Sequence, residues 1–145
     1  MPATIELRHD YQTTPDKLWK VATDWSCLEQ AMKGLVKFYG LPKTEIYQGQ
    51  EIAAEFSLFG LLPKSPWTMK VLEYNPSELR IKSHEYGGPV KQWSHTLTIE
   101  KTETGACLKD HIIVDAGKLT PIYKHWGIFM YNYRHKPRLE MLKQF

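Results

Sequence analysis

The sequence predicts an α+β fold: a seven-stranded, curved antiparallel sheet around a long C-terminal helix, with two short helices after the first strand. Three observations carry that expectation. Apolar and polar residues alternate in one segment near the N-terminus and in six consecutive segments between 35 and 116. Short clusters of Gly, Pro, Asn and Ser punctuate those six segments, as tight turns between antiparallel neighbours require. After Thr120 the apolar residues change to helical spacing.

The first strand is expected over 4–11, where Ile5, Leu7 and His9 alternate with Glu6, Arg8 and Asp10. Thr14-Pro15 then supplies a helix N-cap and a first-position proline. Leu18, Trp19, Ala22 and Trp25 follow at helical spacing, with Trp25 closing that helix. Ser26 is expected to restart a second short helix through Leu28, Ala31 and Met32, with Gly34 ending it. The six further strands are expected over 35–39, 50–59, 67–74, 79–86, 90–101 and 106–116. The turns between them fall at Gly40-Leu41-Pro42, 60–66, Asn75-Pro76-Ser77, Gly87-Gly88-Pro89 and 102–105.

Thr120-Pro121 repeats the cap-and-proline signal. Ile122, Trp126, Phe129, Met130 and Tyr133 then form an apolar stripe on a helix of about 20 residues. Pro137 removes a backbone donor and clashes with the carbonyl of Tyr133, which predicts a kink or an end there. Gly127 in mid-helix is unfavourable by about 1 kcal/mol against Ala, which a close backbone approach would explain.

Composition sets the bounds. The 145 residues are expected to form one domain spanning 1–145, long enough for a core without disulfides or metals. With 42% apolar and 24% charged residues, disordered and collagen-like classes are excluded. Five Trp, eight Tyr and five Phe suit a large core or a ligand cavity. Cys27 and Cys107 lack zinc-ligand spacing and read as free thiols of a reducing compartment. His9, His111, His125 and His135 match no metal motif, and no Gly-rich nucleotide loop is present, so neither metal nor cofactor is expected. A formal net charge of +3 is too mild to imply nucleic acid. From Lys118 onward, six basic residues face the single acid Glu140. That segment fits contact with phosphate, a carboxylate ligand or the periphery of an anionic membrane; it equally fits a solvated helix face. No apolar run reaches the ~18 residues of a membrane span, and the opening MPATIELRHD does not read as a secretory signal. A soluble cytoplasmic protein is expected, and the sequence carries no signal for its oligomeric state.

The element order resembles the START-like, or SRPBCC, helix-grip superfamily, which includes ligand carriers, polyketide cyclases and lipid-transfer domains. The local matches are Pro15-Asp16-Lys17-Leu18-Trp19 after a strand, with Trp25 beyond it; the Trp93-x-His95-x-Leu97 strand followed by Leu108-x-Asp110; and Asp115-Ala116-Gly117 leading into the long helix. The resemblance implies a cavity between sheet and helix, in which polar pairs often orient ligands.

Candidate site residues follow from register. A hairpin centred on 102–105 pairs Leu97 with Asp110, His95 with Ile112 and Trp93 with Val114. That face is overwhelmingly apolar and should point inward, with His95 and Asp110 as diagonal neighbours. The pair reads either as a general base and its orienter or as a polar brace that anchors the sheet or orients a ligand. No nucleophile-elbow motif accompanies it. Glu85 shares a face with Leu79, Ile81 and Ser83; it reaches either the cavity mouth or solvent, while His84 faces outward with Arg80 and Lys82. Phe56 and Met69 should line neighbouring strands, with Ala54 and Val71, and Trp126, Phe129, Met130 and Tyr133 should oppose them from the helix. The segment 58–67, rich in Leu and aromatic residues, reads as a lid, a docking loop or a packed hairpin turn.

Together these residues predict a carrier of a small hydrophobic or amphipathic ligand, such as a lipid, isoprenoid or polyketide. The ligand-binding set is Phe56, Met69, Glu85, Trp93, His95, Asp110, Trp126, Met130 and Tyr133. Two alternatives stand beside it. One is a polyketide cyclase or dehydratase using His95 and Asp110, and the other a protein-interaction module using the 58–67 loop and the basic C-terminal helix.

Overall fold

A computed structural model describes residues 2–144. Strand β1 (Ala3–Tyr11) is followed by helices α1 (Pro15–Ala22) and α2 (Trp25–Ala31). Strands β2 (Val36–Tyr39), β3 (Glu51–Leu58), β4 (Ser65–Asn75), β5 (Arg80–Gly87), β6 (Val90–Thr102) and β7 (Gly105–Asp115) come next. A 3-10 turn, Gly117–Leu119, leads into α3 (Thr120–Tyr133) and α4 (His135–Leu142). The seven strands form one antiparallel sheet in the order β1-β7-β6-β5-β4-β3-β2, curled into a half-barrel around the C-terminal helices. The α+β expectation and its seven-stranded sheet therefore hold.

Local chemistry explains the elements and corrects some of their ends. The Thr14 hydroxyl caps α1 by accepting from the Lys17 N–H, with Pro15 in the first turn. In α2 the cap is Asp24, not Ser26: its carboxylate accepts from the Cys27 N–H, and Ser26 donates to it. Trp25 therefore opens the second helix instead of closing the first. Thr120 is not a cap either. It is the first residue of α3, and its hydroxyl accepts from Ala116 N–H while donating to Gly117 O, tying the helix to the end of β7. The helix beyond it is broken at Arg134, three residues before Pro137, because the proline has no N–H for the Tyr133 carbonyl.

The stripe on α3 is rotated from the expected one. Ile122 and Phe129 are more than half exposed, whereas Gly127 and Tyr131 are buried. Gly127 touches the sheet: a Cβ there would lie 2.8 Å from Trp93 Cη2 and 2.9 Å from Ile5 Cδ1. The backbone approach that its sequence position suggested is thus present.

The concave face of the sheet carries Ile5, Trp93, Ile112 and Val114 under Tyr131, and Tyr11, Leu97, Ile99 and Leu108 under Leu18 and Trp19 of α1. The β6/β7 register is the expected one, with Leu97 opposite Asp110 and Trp93 opposite Val114. In β4 the pairing with β5 slips between Val71 and Glu73, leaving Leu72 as an exposed bulge residue. Trp67, Met69 and Val71 face inward before the bulge and Tyr74 after it. The 58–67 segment holds a turn in which Phe59, Leu61 and Leu62 are exposed, and Trp67 belongs to β4.

Candidate functional site

Between the concave sheet and α3 lies a largely apolar cavity. Its sheet wall comes from Phe56 of β3, Trp67 and Met69 of β4, Glu85 of β5 and Trp93 of β6. Its helix wall comes from Tyr123, Trp126, Met130 and Tyr131 of α3, with Arg134 at the helix break. Leu28 of α2 and Val36 and Phe38 of β2 close one side. The hollow within these walls measures about 100 Å³. A single water needs roughly 10–15 Å³, so it has room for several.

Aromatic packing fixes the walls. The Trp67 ring meets Phe56 edge-on at 6.0 Å and Trp93 at 6.2 Å between centroids. Trp93 in turn stacks on Tyr131 at 6.3 Å, and its Nε1 donates to the Tyr131 hydroxyl at 3.0 Å. Burial pushes the Tyr131 phenol far above its usual range, so it stays protonated as a hydrogen-bonding hydroxyl.

Two charged groups break the apolar lining. Glu85 accepts from Trp67 Nε1 at 3.0 Å and from Ser83 Oγ at 2.8 Å, so both of its oxygens are held by the sheet. Arg134 stands at the opposite wall. Its guanidinium lies 4.4 Å over the Tyr131 ring, and its Nε contacts Met32 Sδ at 3.1 Å. Burial draws its proton affinity down from the usual value, and Arg138 adds to that, while Asp110 and Glu85 oppose it. An arginine nonetheless stays charged.

Behind Tyr131 sits the His95–Asp110 pair. His95 Nε2 donates to Asp110 Oδ1 at 2.7 Å, and the carboxylate is 2% exposed. His95 Nδ1 lies 3.5 Å from the Tyr131 hydroxyl. Burial pushes the Asp110 carboxyl up, but the His95 hydrogen bond and charge, with Arg138 and Arg134 beyond, outweigh burial and hold it below its usual range. Arg138 is 4% exposed and lies beside Tyr11. Among the described residues, Asp110 Oδ2, Tyr11 Oη and Arg138 Nη1 are buried polar atoms without a hydrogen-bond partner.

The expected residues thus divide. Phe56, Met69, Glu85, Trp93, Trp126 and Met130 line the cavity. His95 and Asp110 lie one layer deeper, behind Tyr131. Tyr133 turns to the flank, where its hydroxyl donates to Lys33 O at 2.8 Å. Sequence reasoning missed Trp67, Tyr123 and Tyr131 as lining residues, and met Arg134 only as one of the six basic residues of the C-terminal segment. Trp67 was legible from its period-two relation to Met69 and Val71. Tyr131 and Arg134 follow Gly127 at i+4 and i+7, and a glycine marks the face of a helix nearest its neighbour.

Among the described residues no group of three or more His, Cys, Asp and Glu side chains could hold a metal ion, and no helix is long and apolar enough to cross a membrane.

No protein-family model and no curated protein sequence matches this chain. Solved structures do. Protein CV1439 from Chromobacterium violaceum superposes with a TM-score of 0.77 at 19% identity, covering 96% of each chain. Ara h 8.0201 gives 0.76 at 14% identity, over 100% of both chains. The chain has the START-like helix-grip fold. A further helix-grip structure, the ZhuI aromatase/cyclase from a Streptomyces species, gives 0.72 at 15% identity, covering 99% of this chain and 95% of its own. At such identities the fold is shared, and residue roles do not transfer with it.

Proposed function

We propose that this helix-grip protein binds a small hydrophobic or amphipathic molecule, of the lipid, isoprenoid or polyketide kind, in the cavity between sheet and α3. The observation that carries the reading is the cavity itself: a hollow of about 100 Å³ walled by Trp67, Trp93, Trp126 and Met130 and interrupted by only a few polar groups. Ligand pockets generally combine such apolar walls with a small number of placed polar groups, and a hollow of this volume admits a larger molecule only if its aromatic walls part. The shared fold with an aromatase/cyclase supports a chamber suited to cyclic or polyene molecules.

The His95–Asp110 pair supports binding more than catalysis. Nε2 is engaged by Asp110, and Nδ1 is turned to Tyr131, which stands between the ring and the cavity. A general base needs a free nitrogen within reach of the substrate. The pair therefore reads as a brace that holds Tyr131 and Trp93 in position.

The test is titration with N-phenyl-1-naphthylamine, a neutral fluorescent probe, alongside native mass spectrometry of the purified protein. Saturable binding with a dissociation constant in the micromolar range, abolished by filling the cavity with Met69→Trp, is the expected result. Absence of saturable binding, or binding insensitive to that substitution in a folded variant, overturns the reading.

A further inference from the structure

We infer that Arg134 is an anchor for an anionic headgroup, so that the ligand is an amphipathic acid carrying a carboxylate. This inference rests on the ligand-binding reading above and names the chemical class of its occupant.

The argument begins with what Arg134 lacks. Among the described residues no carboxylate oxygen lies within salt-bridge distance of its guanidinium. Its contacts are a thioether sulfur and the face of Tyr131, neither of which compensates a positive charge fully. Arg80, by contrast, is paired with Glu73. Arg138 also lacks a salt bridge among the described residues, but it is buried beside Tyr11 and is not among the residues lining the cavity. Arg134 is half-buried, with its charge set against an apolar wall and no acidic partner beside it. A planar donor fork at the end of an apolar chamber is a favourable seat for an anion that enters that chamber.

The geometry also selects the sign and shape of that partner. Nε is taken by Met32, and the two Nη groups remain as a planar fork suited to two carboxylate oxygens. The other acid in the lining, Glu85, is held by Trp67 and Ser83 and is not in contact with Arg134. Glu85 would repel a second anion at its own end and accept from a hydroxyl there. The cavity is thus polarised, with an acid-binding end at Arg134 and a carboxylate at Glu85. The apolar rings of Trp67, Trp93 and Trp126 supply the wall between them.

The test compares cis-parinaric acid with its methyl ester, two fluorescent polyenes that differ only in the charge of the headgroup. In the wild-type protein the acid should bind about 10- to 100-fold more tightly than the ester, as a charge-assisted hydrogen-bonded pair implies. Arg134→Met should reduce the acid to the affinity of the ester and leave the ester unchanged, and Arg134→Lys should restore part of the difference. Thermal melting and near-UV circular dichroism check that the variants are folded. Equal affinity of acid and ester in the wild type overturns the anchor and leaves the ligand-binding reading intact. Equal weakening of both molecules by Arg134→Met also overturns it, because that is the signature of a structural role. If neither molecule nor the neutral naphthylamine binds, both readings fall together. The wild-type comparison decides the matter even if Arg134→Met does not fold.

Discussion

Gly127→Ala sets two calculable effects against each other. A methyl group at an exposed mid-helix glycine stabilises a protein by about 1 kcal/mol, through backbone entropy. Here the methyl has no room: it would stand 2.8 Å from Trp93 Cη2, 3.2 Å from Trp93 Cζ2 and 2.9 Å from Ile5 Cδ1. Ile5 can rotate its terminal methyl away. Trp93 cannot yield so easily, because it is 3% exposed, hydrogen-bonded through Nε1 to Tyr131 and packed against Trp67. Inserting a methyl into such packing costs about 1–3 kcal/mol. Overpacking therefore wins, and the net expectation is a loss of about 1 kcal/mol. In urea denaturation followed by far-UV circular dichroism, that loss lowers the midpoint by roughly 0.3–1 M. Because Trp93 is also a cavity wall, the neutral naphthylamine probe should bind more weakly in the same variant. A rise in midpoint equivalent to the ~1 kcal/mol helix gain would show that α3 does not press on Trp93, and the reasoning about the cavity wall would fail with it.

Other perturbations follow the same logic. Asp110→Asn removes a carboxylate whose folded affinity for protons is below its unfolded value, so its contribution is present above pH ~4 and disappears as the pH falls through the folded value. At pH 7 the variant should be less stable by about 1.5–3 kcal/mol, and the urea midpoints of the two proteins should draw together progressively as the pH is lowered from about 4 through the folded value. Tyr131→Phe leaves the buried Trp93 Nε1 without its acceptor and should destabilise by about 1–3 kcal/mol, read as a lower melting temperature. Burial, with the charges of His9 and Arg138, lowers the proton affinity of His135 in the folded state. Its contribution is complete above pH ~6.5 and is lost as the pH falls below that, so His135→Gln should flatten the stability profile between pH 7 and 5. Thr14→Ala removes the cap of α1 and should cost about 1 kcal/mol by urea denaturation.

How far the sequence was legible depended on which physical signal each element carried. The β6/β7 register could be read residue by residue, since one turn and an unbroken inward face leave a single alignment. The C-terminal break could be read from Pro137, because a missing N–H acts locally. The phase of α3 could not be read from hydrophobicity alone. Ile122 and Phe129 are as apolar as their neighbours, yet they lie outside, because the tight contact at Gly127 rotates the helix so that Tyr131 and Arg134 face the cavity. Arg134 could not be told from the other five basic residues of its segment, because a charge on a helix reads equally as solvent-facing, and only the fold shows that it lines an apolar chamber. The starts of α2 and α3 show a similar limit: Ser26 and Thr120 both look like caps in sequence, but Asp24 caps α2 and the Thr120 hydroxyl bonds back to Ala116 and Gly117.

Leu72 makes the wall of the half-barrel an odd-numbered count. If Leu72 took a regular rung instead of bulging, the two-residue rhythm set by Met69 and Val71 would carry Glu73 to the concave side and put Tyr74 outside. Arg80 would lose the carboxylate that clamps it, and Trp19 the ring that rests on it. Ironing out the bulge with every residue kept would thus turn the lower half of β4 inside out, whereas deleting Leu72, which points to solvent, would leave Glu73 outside and Tyr74 inside.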